Sequence, residues 1–227
     1  MAIREQVSSM DVIQPPGKFL ALWNNYHALA YKQKLNPPPE PLYFVKTPNS
    51  YSTNGAVVSP PRDPAVGRVV FEGELGIVIG QRCVNVDVAQ AAQYIAGYTC
   101  VNDFTAAELL TREPTFTQWT RAKSFDGFGA FGPAVVSGLE WRELRVQTLV
   151  DGRLRQDYPC ADMVFGPEEI VARISRDMTL EPGDLIACGT SLGVLPLREG
   201  SLVEVHIAGI GTLRNFYGYP KKTGSDS

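Results

Sequence analysis

The chain has 227 residues, of which 44% are apolar and 20% charged, with a formal charge of −3 at pH 7. This is ordinary globular composition, and the length suffices to bury about 70 per cent of the unfolded surface without staples. Nucleic acid is not the expected partner, for there is no Lys/Arg run, and a membrane helix is not expected, for no apolar run comes near the roughly 18 residues it needs.

The opening residues 1–9 carry charges but no apolar h-region, so they do not read as a signal peptide. Cys83, Cys100, Cys160 and Cys188 are widely spaced and form no C-x-x-C pair, which predicts reduced core thiols and a cytoplasmic protein.

Residues 1–18 read as an N-terminal arm ending at Pro15-Pro16-Gly17. Residues 19–219 read as a single catalytic domain, and 220–227 as a disordered polar tail. Phe19 to Trp23 is a buried strand. The polar and aromatic stretch 24–41, closing in a proline run, is either a lid or a static surface loop. Val69 to Ile79 reads as one strand, apolar in its second half. Asn85 can cap a short helix stopped by Gly97, and Tyr98 to Val101 is a further strand. Thr105 to Thr111 can form a helical turn or two. Gln147 to Leu154 is a hairpin around Asp151-Gly152, a pair that tolerates a type I′ turn. Pro167 opens a helix at its first position, and Pro182-Gly183 turns the chain into Leu185 to Ala187. Two alternating strands, Leu202 to Ile207 and Gly211 to Phe216, finish the domain. The expected class is mainly β (α+β) with a few short helices.

Glu72 and Glu74 carry the chemical argument. On a strand, residues i and i+2 share a face, which would set the two carboxylates about 7 Å apart at Cα. Their repulsion needs neutralising, and a hard divalent cation with oxygen ligands (Mg²⁺, Mn²⁺ or Ca²⁺) would do so. The alternative is a pair of exposed glutamates on an edge strand; the apolar Ile77-Val78-Ile79 that follows argues against it. Asp103 ends the next strand and is either a third ligand or the cap of the helix near Thr105. Lys123 could bind an oxyanion or move a proton, or be a solvated surface lysine. Backbone N–H groups of Gly189 to Gly193, with the Thr190 hydroxyl, could hold a carboxylate or form an ordinary turn. His206 reads as structural, and His27, in the 24–41 stretch, as the better acid–base candidate.

Five segments together resemble the fumarylacetoacetate hydrolase family: Phe-Val-Lys-Thr-Pro (44–48), Glu-Gly-Glu-Leu-Gly-Ile-Val-Ile-Gly (72–80), Ala-Gly-Tyr-Thr-Cys-Val-Asn-Asp (96–103), Arg-Ala-Lys-Ser-Phe-Asp-Gly (121–127) and Gly-Thr-Ser-Leu-Gly-Val (189–194). The resemblance covers about residues 19–216. It implies a mixed β-sandwich roll, a homodimer, and Mg²⁺ or Mn²⁺ held by Glu72, Glu74 and Asp103. Lys123 and His27 become the catalytic candidates, and Thr190, Gly189, Lys46 and Asn24 the substrate-binding ones. Substrates of this family are 2-oxo (1,3-dicarbonyl) carboxylic acids that react through a metal-stabilised enolate. The expected reaction is C–C cleavage, by decarboxylation or hydrolysis, in aromatic-compound catabolism. Isomerisation or tautomerisation of a 2-hydroxydienoate on the same site is the alternative, and a non-catalytic metal-binding protein the second.

One departure stands out. Many hydrolytic and decarboxylating members carry Arg-Asn-Tyr-Ala-Asp-His-x-x-Glu in the lid, and here the segment is Asn24-Asn25-Tyr26-His27-Ala28-Leu29-Ala30-Tyr31-Lys32. Aligned on the tyrosine, Asn24, Leu29 and Lys32 stand at the Arg, His and Glu positions. His27 is nearby but out of register.

Overall fold

Alternating apolar and polar residues, punctuated by glycine and proline, form fourteen strands and five short helices among residues 14–220, the span described by the computed structural model. The first part of the chain gives β1 (Phe19–Trp23), α1 (His27–Gln33), β2 (Leu42–Lys46), β3 (Tyr51–Thr53), β4 (Val57–Val58), β5 (Val69–Val70) and β6 (Gly73–Ile79). Then come α2 (Val88–Ala91), β7 (Ile95–Asp103), β8 (Thr105–Ala106), α3 (Ala107–Leu110), α4 (Trp119–Lys123) and β9 (Gly129–Val136). The last part holds β10 (Arg145–Val150), β11 (Arg153–Pro159), α5 (Pro167–Asp177), β12 (Leu185–Ala187), β13 (Ser201–Ile207) and β14 (Gly211–Tyr217). Strand outweighs helix, 38% against 22%, which is the mainly-β class expected.

Seven strands form a mixed sheet in the order β2-β1-β12-β6-β7-β9-β3, and five form a second, β11-β10-β13-β14-β4. The second sheet packs over β6, β7 and β9. Leu75, Ile77, Cys100, Val203, Val205 and Leu213 fill the space between them, each large side chain contributing about 1.5–3 kcal/mol on burial.

The seven-stranded sheet is strongly curled. Three strands separate β1 from β9, which in a flat sheet would put them about 19 Å apart. Yet the Phe19 and Phe131 rings lie 6.2 Å from each other, and Phe19 and Tyr51 5.9 Å. Inside the curl sits a second apolar cluster of Phe19, Ala21, Phe44, Val101, Phe131 and Leu185, closed by Ala187.

Several local expectations hold. Asp151 and Gly152 have φ of 52° and 73°, as a type I′ turn requires, Pro167 begins α5, and all four cysteines are free and buried. Others are corrected. The strand expected over 69–79 is two: β5 pairs with β8, and β6 joins the large sheet after a break at Phe71-Glu72. Asn85 caps nothing; it has φ 48°, and α2 starts at Val88. Gly97 stops no helix but lies within β7, where a Cβ would come 2.5 Å from the Val136 carbonyl oxygen. Within 24–41 the chain forms α1 rather than a loop. Lys34 closes it in the left-handed region at φ 58°, returning its N–H to the helix carbonyls. The parts of the expected arm and tail at 1–13 and 221–227 lie outside the described residues. Among the described residues no helix is long and apolar enough to cross a membrane.

Candidate active site

Glu74 is the second residue of β6, opposite Val101 of β7, and Asp103 ends β7 opposite Gly129. Cross-strand partners share a face, so both carboxylates point into the curl, on the side of Val101 and Phe131. Glu72 arrives differently from the expected i, i+2 pairing. It precedes β6, and its carbonyl accepts the Asp103 N–H at 2.8 Å. One oxygen from each of Glu72, Glu74 and Asp103 nevertheless lies within 4.8 Å of the others. Asp103 does not cap a helix; Ala106 stands before α3.

Two buried lysines answer these charges. Lys123, on α4, donates from Nζ to Glu72 Oε2 at 2.7 Å and Asp103 Oδ2 at 2.6 Å. It is a buried group, not the surface lysine its isolation in sequence would allow. Burial opposes its charge, but Asp103, Glu72 and Glu74 outweigh that and hold its pKa above the ordinary lysine range. Lys46, at the end of β2, is fully buried and donates to Asp103 Oδ1 and to the Lys123 carbonyl. Its pKa is lowered, mainly by desolvation, which the Asp103 charge offsets only in part. Gly129 makes room for it, since a Cβ there would meet Lys46 Cε at 2.8 Å. The resemblance makes Lys46 a substrate contact; here its ammonium is engaged with the protein.

Glu74 rests on a platform built by the segment after β12. The Gly189 N–H donates to Glu74 Oε2 at 2.7 Å. Thr190 Oγ1 donates to the Gly73 carbonyl at 3.0 Å and accepts from Gln156 Nε2 at 2.8 Å. Gln156 Oε1 takes the Gly73 N–H at 3.0 Å, and the Tyr158 hydroxyl reaches the Gly73 carbonyl. Gly189 and Thr190 therefore position a ligand-type carboxylate in this arrangement. Gln156 and Tyr158 were not singled out in the sequence, although two residues apart on β11 they are its buried positions.

Sequence reading also passed over Asn25, which ties the start of α1 to the body of the domain. Its side chain donates to the Phe165 and Cys188 carbonyls and accepts the Phe165 N–H at 2.9 Å. Asn24 is left-handed at φ 58° and donates to the Asn36 carbonyl. His27, the first residue of α1, is exposed and is not brought among the carboxylates. His206 is half-buried, its Nδ1 3.0 Å from Thr212 Oγ1, in keeping with a structural role.

The donor set fits a hard divalent cation. Three carboxylates converge, and Glu74 Oε1 is buried with no hydrogen-bond partner among the described residues. An unpaired buried carboxylate oxygen is costly unless a cation completes it. Desolvation, then Asp103 and Glu72, push the Glu74 pKa well above the carboxylate range. Oxygen-only ligands suit Mg²⁺ or Mn²⁺ better than zinc.

Known proteins are similar to this chain in sequence and fold. A 4-hydroxyphenylacetate degradation bifunctional isomerase/decarboxylase of Salmonella dublin is 36% identical over 202 residues, 88% of this chain and 46% of that protein. The oxaloacetate tautomerase YisK of Bacillus subtilis is 35% identical over 217 residues, 90% of this chain and 71% of that one. The crystal structure of a 5-carboxymethyl-2-hydroxymuconate delta-isomerase from Mycobacterium smegmatis superposes with a TM-score of 0.82 at 35% identity, covering 92% of this chain and 81% of that one. Residues 18–216 match the family described as fumarylacetoacetate (FAA) hydrolase C-terminal. On the strength of that match and these relatives, the chain belongs to the fumarylacetoacetate hydrolase family of enzymes.

Proposed function

We propose that the protein is a divalent-metal-dependent enzyme acting on a 2-oxo carboxylic acid through its enol form, with decarboxylation as its C–C-cleaving reaction. The observation that carries this reading is the convergence of Glu72, Glu74 and Asp103 within 4.8 Å beside the ammonium of Lys123. Glu72, Glu74 and Asp103 would hold Mg²⁺ or Mn²⁺. The cation would supply Lewis-acid stabilisation where negative charge develops on the 2-oxo group.

The protein's own groups do the rest. Gly189 and the Gly73–Thr190–Gln156 contacts keep Glu74 oriented, so little reorganisation is needed at the moment of reaction. Lys123 Nζ presents N–H donors to an oxyanion and holds a proton deliverable to the adjacent carbon. Attack by water would need a base of its own. The family's lid His and Glu are replaced by Leu29 and Lys32, and His27 is exposed. That counts against hydrolysis. The same absence favours a second reading, tautomerisation or double-bond isomerisation, in which only a proton moves; the similarity to YisK and to the isomerases supports it.

The test is turnover of oxaloacetate, an acylpyruvate and a 2-hydroxydienedioate with Mg²⁺, with Mn²⁺ and with chelator. Metal-dependent loss of substrate with release of CO₂ supports decarboxylation, and C3-proton exchange without CO₂ supports the second reading. If no substrate changes while calorimetry shows bound metal, the protein is a non-catalytic binder and both readings fall.

A further inference from the structure

Two elements run side by side from the carboxylate cluster to an apolar groove of about 850 Å³. On β2, Leu42, Phe44 and Lys46 occupy alternate positions and so project from one face. Lys46 is at the cluster, and Leu42 and Phe44 line the groove. On α4, Lys123 lies one turn beyond Trp119 on the same side of the helix. Lys123 is at the cluster and Trp119 lines the groove. The two elements meet through their rings. Trp119 stacks on Phe44 at 5.0 Å between centroids and 16° between planes, and the Lys123 ammonium lies 5.1 Å from the Phe44 centroid. Trp23 extends the aromatic wall, its ring 5.8 Å from that of Trp119.

The groove's charge is as informative as its shape. Among the described residues no lysine or arginine lines it, and Glu113 is its one charged member. Arg112, next in sequence, is turned away onto the Ala65 carbonyl. A carboxylate placed here would lose hydration, meet no cation and face Glu113. An apolar ring would gain burial and aromatic contacts. Volume and lining are those of a small-molecule site.

We infer that this groove is the specificity subsite for the far end of the substrate, and that it selects 2-oxo acids with an uncharged, aromatic or branched apolar tail over those with a second carboxylate. The inference rests on the second reading, enolisation at the carboxylate cluster, because an acid without a carboxylate on C3 has no CO₂ to lose through an enolate. The two are tested so that they stand or fall separately.

The metal-loaded protein is given 3-phenylpyruvate, 4-methyl-2-oxopentanoate and oxaloacetate. Dissociation constants are read by calorimetry, and kcat/KM by C3-proton exchange in heavy water. The expected result is a preference of roughly tenfold or more for 3-phenylpyruvate over oxaloacetate, the scale on which an apolar pocket discriminates. Trp119→Ala should erase that preference through KM rather than kcat. Because Trp119 shares a helix with Lys123, a second variant is needed: Thr117→Arg, at an exposed residue of the groove wall, should shift the preference toward oxaloacetate. Equal or better use of oxaloacetate by the wild type, or a Thr117→Arg protein with unchanged preference, overturns the groove assignment and leaves the proposed chemistry intact. Binding of 3-phenylpyruvate without exchange of any 2-oxo acid keeps the groove and overturns enolisation as the chemistry of the cluster. Neither binding nor exchange overturns both.

Discussion

Gly189 donates its amide hydrogen to Glu74 Oε2 at 2.7 Å, while Oε1 of the same carboxylate is buried without a partner. One oxygen is fixed by the fold, and the other is left for a ligand. Glu74→Gln separates these roles, because a glutamine can still accept from Gly189 but offers a cation no charge. It also removes a desolvated carboxylate crowded by Asp103 and Glu72. The metal-free variant should therefore melt at or above the wild-type temperature yet show no Mn²⁺ binding by calorimetry. The wild type, at a metal concentration of 100 times Kd, should gain about 2.7 kcal/mol of stability. Metal binding retained by Glu74→Gln would remove Glu74 from the ligand set.

Lys123→Met tests the other half of the charge balance. The change leaves Glu72 and Asp103 without the ammonium that bridges them at 2.7 and 2.6 Å. Breaking a buried ion pair from one side costs about 3–5 kcal/mol. The metal-free variant should lose stability on that scale and recover part of it when Mg²⁺ or Mn²⁺ is added, since the cation takes over neutralisation. Turnover should remain lost even with metal bound. A variant as active as the wild type would show that Lys123 only balances charge.

Glu72, Glu74, Asp103 and Lys123 were legible as a set through the five family-like segments, since each local pattern taken alone also allowed an edge-strand, capping or surface role. The way they meet was not. The sequence predicts Glu72 and Glu74 on one strand, whereas Val69-Val70 pair with Thr105-Ala106 and leave the large sheet before Glu72. Pairing partners more than thirty residues away carry no local signal. The same limit hid Lys46 on Asp103 and Gln156 on Thr190, contacts that exist only because the sheet curls and a hairpin closes over it. Helix α1 was hidden for another reason: the proline run at 37–39 marks a loop, and its turn signal masked the seven helical residues upstream.

Burial of the cysteines gives a prediction in the alkaline range. Desolvation pushes Cys100 and Cys160 up to about 12 and raises Cys83 and Cys188 as well. At pH 8 the native protein should show no thiol to a disulfide reagent, and all four should appear in guanidinium. The folded state holds these protons more tightly than the unfolded chain. Stability should thus be full below the unfolded thiol pKa of about 8.5. From there toward pH 12 it should fall by up to about 1.4 kcal/mol per pH unit for each such group. Alkaline melts of Cys100→Ala and Cys160→Ala should show shallower slopes. A fast-reacting native thiol would mean that its site opens.

Helix α1 is pinned from outside, for Asp162 Oδ2 accepts the Ala28 N–H at 2.9 Å and so satisfies one of its orphan donors. A seven-residue helix is marginal alone, so Asp162→Ala should cost about 1 kcal/mol locally and speed amide exchange over 28–33 while β6 and β7 stay protected. Because His27 opens this helix, the variant also asks what α1 contributes to the reaction. If His27 delivers a proton during turnover, His27→Ala lowers kcat and leaves KM nearly unchanged, and Asp162→Ala does the same in smaller measure by loosening the helix that presents it. An unchanged kcat in His27→Ala would leave Lys123 as the proton donor and reduce α1 to a cover over Asn25 and Tyr26, whose buried side chains need one.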